Sequence, residues 1–175
     1  MKNRTMKLLF CTLVLVFSSL PAHADDDNWG CTVFLCLANP QGPTAAAACV
    51  PPINKLWSEL AKGHDFPSCD TGSSSSSVQN QWASPSYCPP QYIAYRTVGD
   101  GATEQYCTYS GAVTVNINNQ PFTRVWWNGA DSVTENLSDT AAQTPGASQR
   151  FAEDYAKWKI QQDAIEAANR CTGDC

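Results

Sequence analysis

Apolar residues are distributed in three ways along this chain: in one unbroken run, at helical spacing, and in strict alternation. The unbroken run is residues 8–17 (LLFCTLVLVF), behind the bases Lys2, Arg4 and Lys7 and ahead of Ala22-His23-Ala24. A basic start, a short apolar stretch and a small-x-small ending predict an export leader over residues 1–24, cleaved at about Ala24. The run is too short to span a bilayer, which takes roughly 20 apolar residues. Cys11 follows Phe10 and not the small residue of a lipid-attachment site, so no stable membrane anchor is expected after cleavage.

Helical spacing dominates residues 25–70, a cysteine-rich stretch. Residues 31–38 make about two turns of buried helix, broken by Asn39-Pro40-Gln41-Gly42-Pro43. Residues 44–49 form a second short helical stretch. A third begins at Pro51-Pro52, with Ile53, Leu56, Trp57 and Leu60 on one face and Gly63 just past its end. Residues 71–87 open with a serine run that buries nothing, so a linker or insert is expected there.

Strict alternation takes over in residues 88–128. Strands are predicted at 92–98, 104–109, 113–117 and 122–127, the last pair joined by Asn118-Asn119-Gln120-Pro121. They make a small antiparallel β-meander whose first two strands Cys88 and Cys107 are placed to bridge. Trp126 and Trp127 point to opposite faces, because side chains alternate along a strand. Both are covered, one by the core and one by a helix, or one is an exposed platform; the pair is therefore a candidate interaction surface. Residues 129–147 read as a loop. Residues 148–175 read as a long helix with Ser148 as N-cap and Phe151, Tyr155, Trp158, Gln162 and Ile165 as a stripe covering the meander. Glu153–Lys157 and Glu166–Arg170 are helix-spaced ion pairs. The expected class is α+β and disulfide-rich, with residues 25–175 as one domain.

Composition changes the picture at two points. Loss of the leader removes three of the eleven Lys and Arg, leaving eight against sixteen Asp and Glu. No basic cluster remains, which argues against a nucleic-acid partner. Eight of the nine cysteines lie outside the leader: Cys31, Cys36, Cys49, Cys69, Cys88, Cys107, Cys171 and Cys175. An even set in an exported chain predicts structural disulfides in an oxidising compartment, periplasmic or secreted. With His64 the one histidine left and no C-x-x-C, no metal site and no cofactor are expected.

Candidate chemistry is sparse. No serine or cysteine has the context of an activated nucleophile, and no Gly-rich phosphate loop is present. Paired carboxylates need no motif, so Asp100, Glu104 and Asp131 are the candidates for a cell-wall hydrolase. No catalytic residue is assigned and a non-enzymatic protein is expected. A secreted binding module or toxin using the aromatic meander is the alternative, with the hydrolase behind it.

One segment resembles a known family. Cys31, four residues, Cys36-Leu37, then Cys49, the apolar helix at 53–57, Gly63-His64-Asp65-Phe66 and Cys69 are similar to the TrbM/KikA/MpfK proteins, small exported proteins of conjugative-transfer operons. The likeness covers about residues 31–70. It implies a periplasmic accessory of plasmid conjugation, in mating-pair formation and type IV secretion, whose partners are other secretion or pilus-assembly proteins of the envelope. It implies no catalytic residue and no cofactor, and it carries over Cys31, Cys36, Cys49 and Cys69 as structural positions. By locality those four pair among themselves.

Overall fold

A computed structural model describes residues 28–69 and 75–174, with 171–174 described as backbone alone. The expected leader, part of the serine run, the Cys171 side chain and Cys175 lie outside the described residues. The fold is α+β, built around a four-stranded antiparallel sheet with helices on one side and an aromatic layer on the other.

Helix α1 (Trp29–Leu37) and helix α2 (Val50–Ala61) cover the first side. α1 buries Val33, Phe34, Cys36 and Leu37; α2 buries Ile53, Leu56, Trp57 and Leu60, the four residues its spacing predicts. Residues 44–49 are less helical than expected: one tight turn, Ala47–Cys49, runs directly into α2. Two disulfides fix this pair of helices. Cys36–Cys49 joins the end of α1 to the start of α2, and Cys31–Cys69 ties α1 to the segment after α2. Gly30 lets that segment approach: a β-carbon there would fall on the Ser68 carbonyl oxygen.

The sheet departs from the expected meander. Strand β1 (Ser77–Trp82) lies inside the expected linker, β2 (Ile93–Thr97) and β3 (Thr103–Cys107) form a separate hairpin, and β4 (Gly111–Ile117) and β5 (Gln120–Trp127) are adjacent. Strand β6 (Ser132–Asn136) and the short helix α3 (Asp139–Ala142) lie inside the expected loop. The sheet order is β1-β4-β5-β6, so β1 takes the edge of β4 that a meander would give to β3. Polar β1 shows little alternation of its own; its pairing with β4, from Ser77–Asn116 to Trp82–Gly111, imposes the strand. Asn118 and Asn119, both left-handed, make the two-residue turn between β4 and β5. Ser138 caps α3 by accepting from the Ala141 N–H at 3.1 Å.

Alternation divides the sheet's residues between two cores. Val113, Val115, Val125 and Trp127 join the helices on one side. Ala112, Trp126 and Val133 meet Tyr92, Tyr109 and Phe151 on the other. Cys88–Cys107 anchors the β2–β3 hairpin to this second layer. Helix α4 (Arg150–Asp174) starts two residues after Ser148 and is not capped by it. The Ser148 N–H instead donates to the Pro40 carbonyl at 2.9 Å.

Candidate functional site

Trp126 and Trp127, the candidate interaction surface, are both buried, at 2% and 1% exposure. Trp127 stacks flat on Trp57 at 5.3 Å and meets Trp82 at a tilt. Its indole N–H donates to Asn80 Oδ1 at 3.3 Å. Gly111 opposite leaves room: a β-carbon there would lie 3.1 Å from that indole nitrogen. On the other face Trp126 packs on Tyr87 and donates to Glu135 Oε2 at 3.1 Å. Each indole thus has both an apolar cover and an acceptor for its N–H, which is what a buried tryptophan requires. Of the two readings the sequence left open, both covered or one an exposed platform, the structure has both covered, so the pair is not an exposed interaction surface.

The second correction concerns α4. Only its first turns reach the body. Phe151 packs edge-on against Tyr92, and the Tyr92 hydroxyl donates to Asp154 at 3.1 Å. Arg150 grips Asp131 with both terminal nitrogens and reaches Asp154 at 3.7 Å. The Tyr109 hydroxyl donates to the same Asp131 carboxylate at 3.2 Å. This knot is electrostatically tuned. Arg150 holds the Asp131 carboxyl below its ordinary range. Burial, aided by Asp131, pushes the Tyr109 phenol up to about 12. Burial first, then Tyr109 and Asp154, raise Tyr92 further still.

Beyond Trp158 every described side chain of α4 is exposed. The expected stripe therefore does not cover a meander. Phe151 docks, Tyr155 is 44% exposed and meets half-buried Trp158 at a tilt, and Ile165 is 54% exposed. Ile160, on the opposite face, is 70% exposed. Apolar residues on two opposed faces leave no single buried side. Lys157 turns to Asp154 at 3.5 Å, not to Glu153, whereas Glu166–Arg170 pairs as the spacing predicts, at 3.0 Å. Lys159 also pairs with Asp163.

A groove of about 390 Å³ opens at the root of this helix, lined by Tyr87, Gln91, Arg124, Trp126, Glu135 and Tyr155. Arg124 pairs with Glu135 at 3.3 Å and lies 6.0 Å from the Tyr87 and Trp126 rings. Both amide atoms of Gln91 are buried with no hydrogen-bond partner among the described residues. Buried polar groups are rarely left so. A more polar cleft of about 450 Å³ lies between α2 and the Arg150–Asp131 pair.

The candidate carboxylates are dispersed in their engagements. Asp100 sits at the hairpin tip in a left-handed conformation, Glu104 pairs with Arg96 at 2.9 Å, and Asp131 is held by Arg150. His64 pairs with Glu59 in the turn that ends α2. Cys31, Cys36, Cys49, Cys69, Cys88 and Cys107 form the three disulfides found among the described residues. Among those residues no group of His, Cys, Asp and Glu is arranged to hold a metal, and no helix is long and apolar enough to cross a membrane. The sequence reading missed the Arg150–Asp131–Tyr109 knot, whose members are far apart in the chain and follow no motif. No family model, no curated protein and no solved structure matches this chain.

Proposed function

We propose that this chain is an exported accessory protein of conjugative plasmid transfer, acting in the envelope by contact with other proteins and without catalysis. The observation that carries the contact role is α4, which puts Tyr155, Ile160 and Ile165 into solvent on a helix held only at its root. Apolar side chains left in water gain by being covered, so a projecting helix that exposes Tyr155, Ile160 and Ile165 gains from a partner. The conjugative setting is supported by the cysteine spacing of residues 31–70 and its likeness to the TrbM/KikA/MpfK proteins. Periplasmic location is supported by the three disulfides, which persist in oxidising compartments. Deleting the gene from a conjugative plasmid is expected to lower transfer, with rescue by the native chain and not by an Ile160→Glu, Ile165→Glu variant. Unchanged transfer in the deletion would overturn this reading.

A second reading, a secreted small-ligand binder, is favoured by one observation: the groove at the root of α4, which Tyr87, Gln91 and Tyr155 line. A neutral ligand with its own donor and acceptor, such as a glycan fragment, would suit it. Titration with soluble glycan fragments decides this: tryptophan fluorescence changes that vanish in Tyr155→Ala support it, and a flat titration removes it.

A further inference from the structure

We propose that the free edge of β1 pairs with β1 of a second copy of this chain, antiparallel and centred on Asn80, so that two four-stranded sheets become one. The pairing uses no residue of α4 and stands apart from the contact role given to that helix.

The edge is undefended. Sheet edges present unpaired backbone groups, and proteins blunt them with charge, proline or a covering element. Strand β6, at the other end of the sheet, carries Glu135 and has α3 and α4 against it. The β2–β3 hairpin carries Arg96 and Glu104. β1 has no charged residue and no proline over Ser77–Trp82, and among the described residues its one strand partner is β4.

The ladder decides which backbone groups face outward. The Ala83 N–H donates to the Ser110 carbonyl at 2.9 Å, one step beyond the Trp82–Gly111 pair. Bonded and non-bonded pairs alternate in an antiparallel ladder. Gln81, Gln79 and Ser77 therefore bond to β4, and Val78, Asn80 and Trp82 turn their N–H and C=O groups to the free side. A second β1 centred on Asn80 sets Asn80 opposite the partner's Asn80 and Val78 opposite the partner's Trp82. All three outward residues of each strand then meet outward residues of the other.

The side chains suit the same register. Val78 packs on the helical core, the Trp82 ring leans on Trp127, and Asn80 accepts from the Trp127 indole, so all three share the helical face. Trp82 is 52% exposed at one end of the strand. At the other end a groove of about 350 Å³ opens, lined by Val78, Phe34 and Phe66. Residues opposite each other in a sheet point to the same face, so the Trp82 ring of each copy comes to the groove of the other. Ring and groove lie two residues either side of the centre, which is the self-complementarity that a two-fold contact requires. Charge favours this place too. The chain has a formal net charge of −5, so two copies repel, yet β1 and β4 hold no charged residue.

One strand pair is a small contact, so a weak dimer is expected, half-associated on the order of 10–100 µM. Sedimentation velocity of the full chain, exported and oxidised, tests it. A concentration-dependent dimer that added salt does not weaken is expected. On the face away from the helices Gln79 lies opposite the partner's Gln81, and both are exposed, which makes the register readable. Gln79→Lys with Gln81→Lys should weaken association by about tenfold, because lysine meets lysine at both pairs. Gln79→Lys with Gln81→Glu should leave it as tight as the native dimer or tighter, because opposite charges meet. Circular dichroism and the denaturant midpoint check that each variant keeps the fold. A native chain that stays monomeric at several hundred micromolar overturns the pairing and leaves the edge to a strand of another protein. A dimer that the two double variants affect alike overturns the register and the pairing with it. Either result leaves the contact role of α4 standing, since none of these changes touches that helix.

Discussion

Trp127 is where helix α2 and the edge strand meet the sheet: Trp57 from α2 lies flat on it and Trp82 from the edge strand leans on it. Removing so large a fully buried ring leaves a cavity that neither a strand nor a stapled helix can collapse into. Trp127→Ala is therefore expected to destabilise by about 3–5 kcal/mol, read from the denaturant midpoint of the oxidised chain. Trp82→Ala, at a half-exposed position, should cost clearly less. Tyr109 offers a second reading at the same level. Its phenol is pushed up to about 12, so it stays protonated at pH 11, where an unperturbed tyrosine near 10 has ionised. A raised folded-state pKa contributes stability that is complete below the unfolded value and is lost as pH rises through the folded one. Phenolate absorbance should accordingly show a late-titrating tyrosine that moves to lower pH in Asp131→Asn, which removes the negative charge beside its hydroxyl.

Among the elements, α4 is clamped at one end by Arg150 and Phe151. The Arg150–Asp131 pair is about half exposed, so Arg150→Ala is expected to cost only about 1 kcal/mol of global stability. Its local effect should be larger: amide exchange should rise across the first turns of α4 and in Ser132, whose carbonyl Arg150 also reaches. Acid should act in the same direction. Asp131 is held below its ordinary range, so its contribution is present above the unfolded carboxyl pKa and is lost as pH falls through the depressed value. Unchanged exchange in the α4 root on either treatment would show that Phe151 alone anchors it.

These elements were unequally legible in the sequence. α2 was readable because one helical face buries Ile53, Leu56, Trp57 and Leu60, so the period records the burial. β4 was readable because Val113 and Val115 alternate with polar residues. β1 was not, because Gln79 and Gln81 face away from the helices and the remaining signal is Val78 and Trp82; its partner supplies the rest. β6 hid for a related reason. Its buried positions include Thr134, a polar side chain that a hydropathy pattern scores as exposed. Helix α4 was visible as a helix, but periodicity reports what a face prefers and not whether anything lies against it. Nor could alternation alone decide the tryptophans, since opposite faces are compatible with two covers or with one.

The assembled chain is one sheet with a stapled helical layer on one side and an aromatic layer, a tethered hairpin and a projecting helix on the other. Its two layers are secured differently. The helical layer carries two disulfides within residues 31–69; the aromatic layer carries one, plus the Arg150–Asp131–Tyr109 knot. That asymmetry has a consequence in time. A chain made from its N-terminus presents Cys36 and Cys49 early, and they are separated by only 13 residues. Their loop closes at low entropic cost, whereas Asn80 must wait 47 residues for the Trp127 indole that donates to it, and Thr123 bonds Leu37 across 86. The helical layer is thus expected to be covalently locked while its apolar face still lacks the sheet that covers it. Acid-trapping the thiols during oxidative refolding should catch Cys36–Cys49 first; if Cys88–Cys107 is caught first, the sheet leads instead. Until β4 and β5 arrive, the locked helices expose Leu37, Ile53 and Trp57, an apolar face open to aggregation until the sheet covers it.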